Sequence, residues 1–330
     1  MNGPLSEDEL IATLFAPIAG PGGLGLKDDV ACFTPPPGCD LVVTADAIVA
    51  GVHFLNDDPP ETIARKALRV NVSDLAAKGA DPLGFVMTIA FPAGVQGEWI
   101  AAFAAALGAD SALWSCPLLG GDTVHTPGPL TISITALGAV PAGTLVARTG
   151  AKPGDLLYVS GFIGDSALGL HVRQADRPWV SRLTDASRDY LLERFLHPQP
   201  RHLLRHAVRD HASGSMDVSD GLVGDLRKMM RASGANAKVE LARVPLSDAV
   251  RAALRLEANL FETAVTGGDD YEILCSVPQA KAIAFEAAAR SSGVSVARIG
   301  HVAADEHPGA EFFDGNGHRK SFGRGSYSHF

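Results

Sequence analysis

A set of aspartates carries the chemistry that this sequence could do. Asp28, Asp29, Asp46, Asp74, Asp122, Asp217, Asp220, Asp269 and Asp270 stand at the ends of apolar runs, beside glycines, or on the inward side of a helical pattern. Cations near them are scattered: Lys27, Arg69, Lys78, Arg148 and Lys152. So many carboxylates can share a cleft only if metal ions join them. Hard, oxygen-only ligands select Mg²⁺, Mn²⁺ or Ca²⁺ rather than zinc or copper, and there is no EF-hand loop. Mg²⁺ usually keeps waters and shares its shell with substrate phosphates. A cleft holding several Mg²⁺ ions therefore implies a substrate with much negative charge. Aspartate is also a common turn residue. That accounts for any one position, but hardly for Asp74 in mid-helix or for the paired aspartates.

The elements that position these groups follow from the pattern. Leu41–Val43 opens a β-branched strand that Asp46 interrupts, and a glycine turn at Gly51 then presents His53. Glu61–Lys78 reads as a helix whose apolar side, through Ile63, Ala67 and Val70, also bears Asn71 and Asp74. Pairing of Asp74 with Lys78 is the bland alternative to a site role. Asp28-Asp29 leads into a short strand, Val30–Phe33. Pro117–Leu119 is a short strand ending in Gly120-Gly121-Asp122. Ala264–Thr266 reads as a strand before Gly267-Gly268-Asp269-Asp270, repeating that pattern. Met216–Asp220 feeds a helix from Leu222 to Ala232, with Ser219 or Asp220 as its cap.

Further helices are expected at residues 5–16, 98–107, 167–174, 186–195, 200–212 and 279–291. Further strands are expected at 85–91, 130–140, 155–160, 271–277, 296–302 and 311–314. Strands that alternate and helices that cluster predict an α+β fold of two domains, each a mixed sheet with helices packed on one face. The expected domains are residues 1–148 and 149–305, with 306–330 a C-terminal strand and aromatic tail (Phe322, Tyr327, Phe330).

Composition excludes several classes. The chain has 330 residues, 46% hydrophobic and 20% charged, enough for two cores. A net charge of −9 argues against nucleic acid or an anionic membrane as the main partner. Cys32, Cys39, Cys116 and Cys275 form no Cys-x-x-Cys pair, so buried thiols in a cytoplasmic setting are expected. The acidic start, with Glu7, Asp8 and Glu9, is not a signal peptide. The run from Trp99 to Ala109 is too short to span a bilayer. Gly20-Pro21-Gly22-Gly23-Leu24-Gly25 matches G-x-G-x-x-G formally, but no strand precedes it and Asp28-Asp29 would face a pyrophosphate. It reads as a flexible flap. Neither a P-loop, a protein-kinase motif set nor a G-x-S-x-G elbow occurs.

Taken in order, several motifs resemble the thiamine-monophosphate kinase family. They are Asp28-Asp29-Val30, Thr44-Ala45-Asp46 with Gly51-Val52-His53-Phe54, Asn71-Val72-Ser73-Asp74, Gly120-Gly121-Asp122-Thr123, Gly150–Asp155, Asp217-Val218-Ser219-Asp220-Gly221 and Gly267-Gly268-Asp269-Asp270-Tyr271-Glu272. The resemblance runs from about residue 24 to the tail. It implies an ATP-binding superfamily shared with aminoimidazole ribonucleotide synthetase and selenophosphate synthetase. A homodimer built through N-terminal-domain strands is also implied, as is phosphorylation of thiamine monophosphate to thiamine diphosphate by ATP with several Mg²⁺ ions.

Carried over by position, Asp29, Thr44, Asp46, Asp74, Asp122, Asp217 and Asp220 are the implied metal ligands. Gly121, Asp122, Arg148 and Ser219 are implied ATP contacts, and His53, Asp269 and Phe322 implied substrate contacts. No residue is implied as a general base. A phosphate-monoester oxygen with a second pKa of about 6 is already mostly ionised at neutral pH. The departures from the family pattern are Lys27 for Gly, Ala45 for Thr, Asp269 for Glu and Phe322 for Trp. Two alternatives stand: a sister enzyme using another small acceptor, or a non-catalytic nucleotide-binding regulator. Selenophosphate synthetase is disfavoured because no Cys lies between Gly20 and Asp29.

Overall fold

The computed structural model describes residues 6–304 and 307–323; Tyr327 and Phe330 of the aromatic tail lie outside them. The chain divides into two units. The first closes at Gly143, and the second opens at Thr144 and takes in Ala76–Gly79. No described helix is long and apolar enough to cross a membrane.

The first unit starts with a short helix, α1 (Glu7–Leu10), capped by Ser6 and continued as a π-helix over Ile11–Phe15 and a 3-10 turn over Ala16–Ile18. Its sheet consists of β1 (Cys39–Val49), β2 (Asp81–Pro92), β3 (Leu118–Thr126) and β4 (Thr131–Pro141), in the order β1-β4-β2-β3. Only β2 and β3 run parallel. Two helices cover one face, α2 (Pro60–Ala77) and α3 (Gly97–Leu113). Proline opens α2 at its first position, where its missing N–H costs nothing. Ile63, Ala67, Leu68, Val72 and Leu75 of α2 pack with Ile100, Phe103 and Leu107 of α3 against Ile48, Phe85, Ile89, Ile132 and Ile134 of the sheet.

β1 differs from its expected form. Asp46 does not interrupt it: β1 pairs with β4 without a break, from Cys39 opposite Pro141 to Val49 opposite Thr131. Alternation explains the tolerance. Thr44, Asp46 and Ile48 share the helix-covered side, and Ile48 is buried there. A carboxylate at the edge of that side needs no burial. On the opposite face, Leu41 is 48% and Val43 59% exposed.

The second unit holds a seven-stranded sheet in the order β11-β10-β7-β9-β5-β8-β6. Its strands are β5 (Leu156–Ser160), β6 (Gly214–Val218), β7 (Asn236–Glu240), β8 (Glu272–Val277), β9 (Val296–Ala303), β10 (Gly309–Phe313) and β11 (Arg319–Lys320). The helices are α4 (Asp165–Gln174), α5 (Asp185–Leu196), α6 (Arg205–His211), α7 (Leu222–Ser233), α8 (Asp248–Leu256), α9 (Leu260–Thr266) and α10 (Ala282–Ser291). The sequence places helices on one face of each sheet, whereas this sheet carries them on both. Leu157 and Val159 point into the core that contains Leu168, Leu226, Val250 and Val265. Leu156 and Tyr158 point into a smaller core with Val208 and Phe285. Central strands buried on both sides read as continuous apolar runs, as β5 does.

Four further expectations need correction. Val30–Phe33 is not a strand. Ala264–Thr266 is the end of α9, so Gly267-Gly268 follows a helix rather than repeating a strand. The Gly20–Gly25 stretch is not a loose flap. It forms turns docked on β3, with Gly20 N–H donating to the Leu118 carbonyl (2.7 Å) and Cys32 N–H to the Gly22 carbonyl (2.8 Å). Of the thiols, only Cys116 and Cys275 are buried, and burial pushes each up to about 12; Cys32 is exposed.

Candidate active site

In the first unit the site is set by α2. Asp74 accepts the hydroxyl of Thr44, across from helix to strand. One turn earlier Asn71 donates to the Ala67 carbonyl (3.0 Å), which orients its amide so that Oδ1 accepts the Asp46 N–H (3.2 Å). The polar residues on the inward side of α2 therefore hold β1 at the point where its aspartate emerges. Asp122 lies farther along the sheet. Asp46 stands opposite Ile134, Ile134 opposite Met87, and Met87 opposite Gly121. Three strand spacings put the backbones of Asp46 and Gly121 about 14 Å apart, with Asp122 the next residue along β3. Gly121 is fixed by close approach, since a Cβ there would lie 1.8 Å from the Met87 carbonyl oxygen. Asp29 sits in an exposed loop.

His53 closes the turn after β1. Val52 and His53 N–H groups both donate to the Val49 carbonyl (3.1 and 2.9 Å), and Gly51 N–H to the Phe54 carbonyl (2.8 Å). The His53 Nδ1 accepts the Val49 N–H at 3.0 Å. A ring nitrogen that accepts carries no proton, which makes Nε2 the donor nitrogen of the ring.

In the second unit two loops are laced together. Asp269 N–H donates to the Ser219 carbonyl (2.8 Å) and Tyr271 N–H to the Val218 carbonyl (2.9 Å). These bonds gather Asp217, Ser219, Asp220 and Asp269. Asp269 and Tyr271 have φ of +69° and +51°, strained values for non-glycine residues. The Tyr271 hydroxyl donates to Asp269 Oδ1 (3.2 Å). Asp220 is paired with Lys228, whose ammonium also reaches Asp225 (2.9 Å). Burial pushes the Asp225 carboxyl up, against the pull of Lys228. Arg148 stands in a turn beside β6, where Ser215 N–H donates to the Ala147 carbonyl (3.2 Å). Phe322 packs edge-on against Phe312, centroids 5.4 Å apart, at the margin of the core.

Among the described residues, no three His, Cys, Asp or Glu side chains converge tightly enough to make a metal cage. The donors are all oxygens, and Asp29, Asp46 and Asp122 are exposed. That chemistry fits Mg²⁺, which takes one or two carboxylates per ion and completes its shell with water and phosphate. The motifs assign no role to Lys66, Lys228 or Tyr271, which bond to the His53 carbonyl, to Asp220 and to Asp269 respectively. Of the three, Lys66 has a signal legible in the sequence, a cation within the apolar side of α2.

Residues 27–140 match the family described as AIR synthase related protein, N-terminal domain, and residues 152–312 match its C-terminal domain. The chain is thus a two-domain AIR synthase-related protein. It is 44% identical to thiamine-monophosphate kinase of Caulobacter vibrioides over 95% of this chain and 86% of that one. Its fold is similar to thiamine-monophosphate kinase from Stenotrophomonas maltophilia, with a TM-score of 0.79 and 35% identity over 87% of this chain and 89% of that one. It is also similar to AaThiL complexed with AMPPCP and TMP, with a TM-score of 0.78 and 27% identity over 92% and 91% of the two chains. The chain belongs to the thiamine-monophosphate kinase family.

Proposed function

We propose that the chain transfers the γ-phosphoryl group of ATP to thiamine monophosphate. An oxygen of the substrate phosphate forms the new P–O bond in line, the bond to the β-phosphate oxygen breaks, and thiamine diphosphate and ADP leave. The observation that carries this reading is the arrangement on α2, which holds Thr44 and Asp46 in place beside a histidine whose donor is Nε2–H. A fixed donor suits a phosphate that is already ionised, so His53 binds rather than deprotonates. When bound, Mg²⁺ offsets the repulsion between the two anionic reactants. Asp29, Thr44, Asp46, Asp74, Asp122, Asp217 and Asp220 are its proposed ligands. Gly121, Asp122, Arg148 and Ser219 meet ATP. Asp269, oriented by Tyr271, faces the cationic thiazolium, with Phe322 as a candidate aromatic neighbour. The scattered thiols fit a cytoplasmic setting.

Incubation with ATP, Mg²⁺ and thiamine monophosphate is expected to give thiamine diphosphate and ADP in equal amounts. Chromatographic detection of neither product, with an active control, defeats the assignment. A panel of other small acceptors tests for a sister activity.

We further propose a homodimer through the uncovered face of the first sheet, which presents Leu41 and Val43 to solvent in the single chain. Apolar residues on an open sheet face call for a partner. Val43→Asp is expected to shift sedimentation from dimer to monomer. A variant that sediments as the parent does sinks this interface.

A further inference from the structure

We propose that Lys66 is a positioning residue for His53, and that α2 thereby ties the phosphate-binding turn to the metal-bearing strand. The inference rests on the reading of His53 as a donor to the substrate phosphate. Lys66 is only 2% exposed. A buried ammonium is costly unless its donors are used, and an apolar residue of similar volume often serves stability as well or better. Lys66 directs its ammonium to the His53 carbonyl oxygen at 2.8 Å. It sits among Ile63, Ala67 and Val70 on α2. The other buried cation of that helix, Arg69, is neutralised by Asp110 at 2.5 Å, whereas Lys66 bonds to a carbonyl.

The geometry gives this bond a consequence. The imidazole is pinned at Nδ1 by Val49 N–H, which fixes the Nε2–H tautomer. That pin holds only while the turn from Val49 to Phe54 keeps its shape. Lys66 anchors the turn from the helix side at the histidine's own carbonyl. Between about one and two turns along the same helix, Asn71 and Asp74 hold Asp46 and Thr44. A helix rises 1.5 Å per residue, so Lys66 and Asp74 are set about 12 Å apart along one rigid rod. The turn and the strand end therefore keep a fixed spacing. Losing the Lys66 anchor removes the tie between α2 and the His53 carbonyl, so that the turn is held only by its own backbone bonds, while Asp46 stays in place.

The test uses the full chain with Lys66→Met and Lys66→Arg. Lys66→Met is expected to raise KM for thiamine monophosphate by about tenfold or more, with KM for ATP within about twofold. The ¹⁵N ring shifts of His53 are expected to show the Nε2–H tautomer in the parent and a mixture of tautomers in Lys66→Met. Lys66→Arg is expected to restore both. Should Lys66→Met fail to fold, Lys66→Gln, one atom shorter in reach, is measured the same way with the same expected direction. Unchanged His53 shifts, or parallel changes in both KM values, overturn the proposal. The ring shifts need no turnover, so an inactive parent protein would defeat the kinase reading and still leave the positioning role open to decision.

Discussion

Asp46→Asn is expected to lower turnover of thiamine monophosphate by at least about 100-fold while leaving the fold intact. Loss of a residue that merely supports a metal ligand costs roughly 10–100-fold, so loss of a ligand itself sets a higher floor. The substitution isolates charge from shape. Asparagine keeps the size of the side chain, and the Asp46 backbone N–H that donates to Asn71 is untouched. Its position opposite Ile134 is unaffected as well. What is lost is one negative charge and one anionic oxygen where Mg²⁺ is proposed to bind. A second reading comes from titration of the protein with Mg²⁺ and a non-hydrolysable ATP analogue, where weaker binding is expected without any turnover. Asp81→Asn is the control. Asp81 opens β2 opposite Ala139, away from the end of β1 that carries Asp46. Its effect is expected to stay within about threefold, as for most substitutions outside a site. Equal and mild effects at the two positions would sink the metal assignment.

The contrast between these aspartates marks what the sequence made legible. A polar residue on the inward side of a helix was readable at Asn71 and Asp74, because burial of a polar group is the informative exception. Their partners were not readable, because Thr44 and the Asp46 backbone lie on a strand whose register is set by β4. Asp46 looked like an interruption for the same reason. Strand propensity penalises aspartate on average, but here the ladder continues and the carboxylate stays in solvent.

Ala264–Thr266 failed in the opposite direction. Val265 and Thr266 are β-branched and read as a strand, yet Leu260, Ala264 and Val265 recur at helical spacing and are buried together. β7 was missed because Ala237 and Val239 alternate over too short a run to signal alone. Its pairing with β9 and β10 supplies the evidence. The Gly20–Gly25 turns looked loose because glycine composition carries no information about docking. Their order comes from one backbone bond to Leu118 of β3 and one from Cys32, which no local pattern encodes.

The second large effect is on stability, at a group outside the proposed chemistry. Glu272 is fully buried at the start of β8. Arg201 grips it with two bonds, one of them from Nε at 2.6 Å, and Arg194 adds a third at 3.3 Å. The Ser160 hydroxyl donates to it at 2.7 Å. Gly161 is required beside it, since a Cβ there would lie 2.1 Å from the Glu272 carboxylate. Glu272→Ala would leave the largely buried Arg201 guanidinium without the anion it grips, and Arg194 with only the more distant Asp165 at 3.9 Å. Breaking a buried pair in this way costs about 3–5 kcal/mol, more than the pair contributes over an apolar replacement. For a unit of this size that corresponds to a fall in melting temperature of roughly 6–20 °C.

Glu240→Ala supplies the comparison. Its ion pair with Arg243 spans a similar distance, 2.7 Å, but both side chains are more than half exposed. Solvent screens such a pair, and its removal is expected to change stability by less than about 1 kcal/mol. Calorimetric melts of the two variants decide the point. A Glu272→Ala transition no lower than that of Glu240→Ala would mean that the two arginines find water or other acceptors when their partner is removed. Glu272→Gln separates charge from hydrogen bonding. It keeps an acceptor for Ser160 and the volume that Gly161 accommodates, so its melting temperature is expected to fall between those of the parent and Glu272→Ala.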